Sequence, residues 1–277
     1  MEKHLLVCVR TDYTASYAVR FIKDFFHSPC DVHITLFNVA PPKNSWSKGA
    51  LTKGRQLLEE TRQWFINHSF CEESKIDIKS MHSRGNTARE IVQEGHKGMY
   101  DAVILGRQAQ SVVEEFFDYS VGSKVLWEEI DFPLWFCKCP VESPRKDVLL
   151  CVDEDAPSQR IADHVGFMLG DNPNHDITML HVHNSKEKGA TTSEDIFEIT
   201  RGHLEGNGVA SERINELVVD GDDVVKAVLE QVASKPYAAV AAGRGIHDKT
   251  AIEKLFPRSI SVKLLQQLEG AALWVSQ

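Results

Sequence analysis

The sequence lacks the features that mark a membrane protein or a nucleic-acid-binding protein. No stretch approaches ~18 uninterrupted apolar residues, so we expect no transmembrane helix. Lys and Arg number 31 against 40 Asp and Glu, which gives a formal charge of −9, and the basic residues form no clustered run. Because a protein that binds DNA needs a local basic patch, we expect no nucleic-acid partner.

A secretion signal and a disulfide framework are also missing. The segment "MEKHLLVCVRTD" is charged and leads directly into a strand-like run, without the apolar core and cleavage site of a signal peptide. The six cysteines have mixed spacing, and Cys8 and Cys151 lie in apolar runs, where a free thiol behaves as a small hydrophobic group. These features predict a reducing, cytoplasmic compartment.

Two short motifs have some of the ligands of a metal site. Cys137 and Cys139 are two residues apart at a strand end, and so are His181 and His183. Residues two apart on a strand lie on the same face of the sheet, so the side chains of each pair can converge. A zinc site needs further ligands: no nearby Cys or His pair completes four ligands with the two cysteines, and nothing in the sequence brings His247 or Asp153 to the two histidines. No metal site is predicted.

The chain contains an internal duplication. Five segments recur in the same order, with offsets of 136 to 143 residues. The pairs are "LLVCV" (5–9) with "VLLCV" (148–152), "ITLFNV" (34–39) with "ITMLHV" (177–182), "RGNTAREIV" (84–92) with "DGDDVVKAV" (220–228), "AVILGR" (102–107) with "AVAAGR" (239–244), and "PLWF" (133–136) with "ALWV" (272–275). We predict two homologous domains, 1–141 and 146–277, joined by a polar segment that contains Pro144.

Each half alternates apolar strands with amphipathic helices. This alternation predicts an α/β fold with a parallel sheet and helices on both faces. Thr87 and Glu90 have the spacing of a capping box and predict a helix start, and Asp222 and Asp223 are expected to cap the equivalent helix. A further helix is predicted around residues 125–126. Ligands of such sheets bind at the carboxyl ends of the strands, where the strand order reverses.

The order of these motifs resembles the universal stress protein family, in a tandem two-domain form. The resemblance covers nearly the whole chain, and it rests on a strand ending in "VD", a second strand ending in "HV", a strand running into Gly-Arg and a short closing strand. It implies two tandem five-stranded parallel-sheet sandwich domains of the adenine nucleotide alpha hydrolase-like type.

The resemblance also implies how the halves associate. In this family the last strand often pairs across a dimer, so we expect an intramolecular pseudo-dimer, and a homodimer is a further option. Trp135 and Trp274 occupy equivalent places in the closing strands. If exposed, they would mark an association surface, and if buried, they would only fill each core.

In the first half, the family's nucleotide motif is present in its spacing but not in its chemistry. The motif is Gly, two residues, Gly, nine residues, Gly, and Ser or Thr, and its glycines let phosphate reach backbone N–H groups. Gly106 matches the first glycine and Ser120 the serine, with Arg107 following Gly106. Ala109 and Tyr119 replace the other two glycines. Arg10 stands where the family has a strand-end Asp.

The second half is the better candidate for an adenine nucleotide. Asp153 matches the strand-end Asp, which the resemblance assigns to the ribose or adenine, and Val182 ends the second strand. Gly243, Arg244 and Gly245 open the phosphate loop, and Ser259 matches its serine. Pro257 or Arg258 takes the place of the third glycine, and the guanidinium of Arg258 could reach a phosphate.

These observations predict a non-catalytic, cytoplasmic stress-response module that binds or regulates. No cofactor is certain, but ATP or another adenine nucleotide is expected in the second half at most, and a small molecule or protein partner is left unidentified. The alternative is an ATP-binding switch whose occupancy alters oligomerisation or partner binding. An adenylate-forming enzyme is disfavoured, because "RTDYTAS" and "DEDAPSQ" lack the glycines of its phosphate loop.

Overall fold

The chain divides into two compact units, Met1–Pro140 and Val141–Gln277. A computed structural model of the protein describes most of each unit. The described residues are 2–10, 16–26, 32–43, 48–68, 70–106, 129–137, 145–184, 191–244 and 260–276. The helix predicted around residues 125–126 lies outside them.

The first unit contains a five-stranded parallel sheet in the order β3-β2-β1-β4-β5. Its strands are β1 (Lys3–Cys8), β2 (Val32–Ala40), β3 (Ile76–His82), β4 (Ala102–Gly106) and β5 (Leu134–Cys137). Its described helices are α1 (Tyr17–Phe25), α2 (Ala50–Asn67) and α3 (Thr87–Gly98). The predicted alternation is confirmed, and β1 lies at the point where the strand order reverses.

The second unit has the same arrangement, in the order β10-β9-β6-β7-β8. Its strands are β6 (Lys146–Cys151), β7 (Ile177–His183), β8 (Ile214–Asp220), β9 (Tyr237–Gly243) and β10 (Ala272–Ser276). Its described helices are α4 (Ala156–Leu169), α5 (Ser193–Gly206), α6 (Val224–Ser234) and α7 (Ile260–Gln267). Across both units, no described helix has the length and apolarity needed to cross a membrane.

The two equivalent tryptophans lie in the cores. Both are fully buried. Trp135 packs against three phenylalanines of α1 and its carboxyl end, with ring centroids 6.1–6.3 Å away. Trp274 contacts the imidazole of His164 on α4, at 6.0 Å. Each indole therefore contacts a helix of its own unit, and neither tryptophan is exposed in the chain.

The start of α3 differs from the predicted capping box. Asn86, not Thr87, is the N-cap, and its side-chain oxygen accepts a hydrogen bond from the N–H of Arg89 at 2.8 Å. In α6 the predicted cap Asp223 does the same for Lys226 at 3.1 Å. The two caps are 137 residues apart, so the repeat aligns here with an offset of 137 rather than the predicted 136.

Candidate functional site

The carboxyl ends of the second unit's strands meet at one edge of the sheet. Strand β6 has β7 on one side and β9 on the other, so the strand order reverses beside β6. Asp153 follows β6, and Gly243 ends β9. The structure therefore places two of the sequence-predicted residues on either side of the crevice where open α/β sheets bind ligands.

Asp153 presents a carboxylate at this crevice. Its side chain is exposed, and its backbone N–H donates to Ser158 Oγ at 2.8 Å. Oδ1 accepts from the N–H of Glu154 at 2.9 Å, which fixes the carboxylate direction. Within the described part of the chain, Oδ2 accepts no hydrogen bond. An oriented carboxylate with one open oxygen is suited to accept hydrogen bonds from the hydroxyls of a ribose.

Gly243 is required by packing at the start of α4. A Cβ atom on residue 243 would lie 2.5 Å from the carbonyl carbon of Pro157 and 2.8 Å from the nitrogen of Ser158. Asp155 caps this helix by accepting from the Ser158 N–H at 2.8 Å. The glycine thus brings the helix N-terminus, with its partial positive charge, against the end of β9. The sequence suggested only a phosphate-binding role for this residue.

Arg244 lies inside the second unit. Its backbone N–H donates to the carbonyl oxygen of Ser276 at 2.7 Å, and its side chain is only 4% exposed. Because that N–H already joins β9 to the end of β10, it is engaged in the sheet rather than open to a phosphate. The other predicted phosphate contacts, Gly245, Arg258 and Ser259, lie outside the described residues.

Strand β7 contributes Val182 and a side-chain hydrogen bond from His181 to the neighbouring strand end, which the sequence analysis did not predict. Val182 is half-buried at the strand end, and a Cβ on Gly221 would lie 3.7 Å from its Cγ1. His181 Nδ1 lies 3.2 Å from the carbonyl oxygen of Val152, to which it donates. In the first unit Asn38 Nδ2 donates to Val9 in the same way, at 2.8 Å. Asn38 and His181 are equivalent positions of the internal repeat, 143 residues apart, and this equivalence could have indicated that both side chains make the same hydrogen bond.

The imidazoles of "HVH" do not converge on a metal position. The rings of His181 and His183 have centroids 6.5 Å apart, and His181 uses Nδ1 for the hydrogen bond to the carbonyl oxygen of Val152, which follows β6. In the parts of both units that the structure describes, no group of three or more His, Cys, Asp or Glu residues could hold a metal ion. Cys139 of the other motif is outside those parts.

The equivalent place in the first unit has different chemistry. Arg10, which is exposed, follows β1 where Asp153 follows β6. Gly106 ends β4, and a Cβ there would lie 3.4 Å from the nitrogen of Ala18, an ordinary contact distance. Glycine is therefore not enforced by packing at this position. The other predicted residues of this half, Arg107 and Ser120, are not among the described residues.

Net charge is also distributed unevenly between the units. Residues 1–140 contain 17 Lys and Arg against 18 Asp and Glu, whereas residues 141–277 contain 14 against 22. Acidic residues follow β6 and β8 at the carboxyl edge of the second unit, including Asp153, Glu154 and Asp222. At the same edge of the first unit the strand ends carry Arg10 and Arg84. The two edges therefore present different charges at the ends of their strands.

Comparison with known proteins identifies the fold. No protein-family model and no curated protein matches the chain. The structure is similar to a universal stress protein from Archaeoglobus fulgidus DSM 4304, with a TM-score of 0.69 at 14% identity, over 99% of this chain and 96% of that one. It is also similar to a putative universal stress protein from Pseudomonas aeruginosa UCBPP-PA14, with a TM-score of 0.60 at 12% identity, over 99% and 93%. The chain therefore has the universal stress protein fold, along its full length.

Proposed function

We propose that the protein is a non-catalytic tandem universal stress protein, a binding and regulatory module of a cytoplasmic stress response, with one adenine-nucleotide site in its second unit. The observation that supports this most directly is the oriented Asp153 carboxylate. It lies at the crevice beside Gly243, with Oδ2 open among the described residues. The first unit has Arg10 at the equivalent position.

The proposed pose follows from the chemistry of these positions. Asp153 Oδ2 accepts hydrogen bonds from ribose hydroxyls, and Val182 packs against the adenine. Gly245, Arg258 and Ser259 face the phosphates, with Arg258 supplying the charge that the missing glycine N–H cannot. Arg244 holds β9 to β10 rather than contacting the ligand, because its N–H is already bonded and its side chain is buried.

Several acidic residues at the carboxyl edge of the second unit stabilise helix N-termini, which is consistent with a binding role. Asp155, Asp195 and Asp223 each take part in the N-terminal capping of a helix. Thr192 and Asp195 form a complete capping box at the start of α5. Carboxylates that stabilise helix ends in the ground state are occupied by backbone N–H groups, which supports a structural use rather than proton transfer.

The proposal is tested by titrating the full chain with ATP in a calorimeter. We expect one site per chain, weakened about tenfold or more in Asp153→Asn, because this variant loses a charged hydrogen-bond acceptor and keeps its shape. Arg10→Gln, the matched variant of the first unit, leaves the affinity unchanged. Absence of binding at millimolar ATP, or equal affinity of Asp153→Asn and the wild type, would contradict the site.

The non-catalytic part needs separate measurements. During prolonged incubation with ATP we expect no release of phosphate or pyrophosphate above the rate without protein. Sedimentation velocity with and without ATP tests the alternative of a nucleotide switch, and we expect the same molecular mass in both. A mass that changes with ATP favours the switch, and turnover contradicts the non-catalytic assignment. Association of the two halves through their last strands stays a prediction.

A further inference from the structure

The outer side of β8 is an open strand edge. Strand β8 lies at the end of the sheet order in the second unit, and among the described strands it pairs with β7 alone. The N–H of Gly221, directly after β8, donates to the carbonyl oxygen of His183 on β7 at 3.0 Å. Because backbone groups alternate in direction along a strand, those of Glu216, Val218 and Asp220 point away from β7. No described residue forms a hydrogen bond with these outward N–H and C=O groups.

Strand β8 also lacks the features that protect most edge strands from pairing. Such edges are commonly blocked by lysine, by proline, by a bulge or by a short strand length. Strand β8 extends over seven residues, contains neither lysine nor proline, and pairs with β7 in an unbroken register. Val218 is an exposed apolar residue on this strand, at 47%. A long, regular edge of this kind is suited to accept a further strand.

The charge of this edge differs from that of the equivalent edge in the first unit. The N–H groups of Ser83 and Gly221 make equivalent bonds to β2 and β7, so β3 and β8 align with an offset of 138. Residues 210–223 contain five acids and one base, Arg213, whose guanidinium donates to backbone carbonyl oxygens at 2.6–3.1 Å. The equivalent residues 72–85 contain three acids and three bases. The edge of β8 is therefore acidic, whereas that of β3 has mixed charge.

These charges disfavour a second copy of β8 as the added strand. Two antiparallel copies can bring their outward backbone groups together in three symmetric registers. An axis at Glu216 places this carboxylate opposite its own copy, and an axis at Val218 places Glu216 opposite Asp220. The register between them leaves the same acids diagonal to each other, about 7–8 Å apart. Arg201 pairs with Glu216 at 2.6 Å, but no described cation pairs with Asp220. Because like charges across strands are destabilising, a basic strand fits this edge better.

We propose that the outer edge of β8 binds an extended basic segment of a partner protein, which adds a strand to the sheet of the second unit. The outward backbone groups of Glu216, Val218 and Asp220 form hydrogen bonds with the segment. On the face that these three side chains share, the segment presents a basic residue opposite each acid and an apolar residue opposite Val218. This surface is separate from the proposed nucleotide site at Asp153, and the proposal does not depend on that site.

The test uses the full chain at low ionic strength and a terminally blocked peptide of sequence "TKTVTKT". Fluorescence anisotropy of the labelled peptide should show one site per chain, saturated at millimolar concentration. The bound peptide should slow the amide hydrogen exchange of Glu216, Val218 and Asp220 about tenfold or more, measured by NMR. A peptide N-methylated at both lysines and at the valine keeps its charge but loses the donors that face β8, so it should bind about tenfold or more weakly.

Variants of the protein separate strand pairing from general charge attraction. Val218→Pro removes an outward N–H that β7 does not use, so the variant should fold and lose the peptide. Asp220→Asn, which keeps the shape of the side chain, should weaken binding about threefold or more. The control Glu60→Gln removes an exposed acid from α2 of the first unit and should leave the affinity unchanged, as should Asp153→Asn.

Four results would overturn the proposal. The first is that the peptide does not bind at millimolar concentration, and the second is that the N-methylated peptide binds equally well. The third is that Glu60→Gln weakens binding as much as Asp220→Asn. The fourth is that the chain without peptide forms a dimer in sedimentation velocity that Val218→Pro dissociates, because the edge would then belong to a second copy.

Discussion

Replacing Gly243 by alanine should destabilise the second unit, whereas the same change at Gly106 should not affect the first. The Cβ of Gly243→Ala would lie 2.5 Å from the carbonyl carbon of Pro157 and 2.6 Å from its oxygen. Carbon atoms in favourable contact are about 3.5–4.0 Å apart, so the start of α4 must move by about 1 Å. Forcing an extra methyl group into a packed site costs about 1–3 kcal/mol. Alanine also lowers the conformational entropy of the unfolded chain, which stabilises the folded protein by about 0.4–1 kcal/mol and offsets part of this cost.

The matched variant Gly106→Ala isolates the packing effect. Its Cβ would lie 3.4 Å from the nitrogen of Ala18, an ordinary contact. The stabilisation that comes from the lower conformational entropy of the unfolded chain is therefore not cancelled by a steric cost. Urea denaturation followed by circular dichroism should show a lower midpoint for Gly243→Ala and an unchanged or higher midpoint for Gly106→Ala. The reasoning is refuted if Gly243→Ala is as stable as the wild type, or if both variants lose the same stability.

Two other variants test named interactions. Burial lowers the pKa of His164 to about 3 from 6.5, so the unfolded chain takes up a proton between these values and the folded chain does not. Stability therefore falls as pH decreases through this window, and from pH 7 to pH 5 the wild type should lose about 2 kcal/mol more than His164→Phe, measured by urea denaturation. Equal losses would contradict the neutral buried imidazole. Thr192→Ala removes the capping box of α5 and should lower stability by about 1 kcal/mol in the same assay, and an unchanged midpoint would contradict the cap.

The sequence predicted the fold because hydrophobic periodicity and the internal repeat are local signals. Parallel strands buried on both faces appear as short apolar runs, and "LLVCV" and "VLLCV" were recognisable as such. The predicted N-cap of α3, Thr87, was wrong by one residue, because Asn86 and Thr87 are both favourable N-cap residues. Only the backbone conformation decides which residue lies outside the helix.

The candidate site was predicted less completely, because its geometry depends on contacts between distant segments. The sequence identified Asp153 and Gly243, but the approach of Pro157 to Gly243 joins the end of β9 to a helix more than eighty residues earlier in the chain. The spacing of Thr87 and Glu90 indicated a capping box, whereas the Glu90 carboxylate accepts from Arg84 instead. No periodic sequence pattern predicts this Arg84–Glu90 interaction, because it depends on how the loop after β3 folds back towards α3.

The central claim is that the two units differ in their ligands, with the nucleotide confined to the second. Native mass spectrometry of the full chain in millimolar ATP tests this directly, because it counts bound molecules. We predict a mass increase of one nucleotide per chain, which disappears in Asp153→Asn and persists in Arg10→Gln. Two nucleotides per chain, or one that persists in Asp153→Asn, would contradict the account.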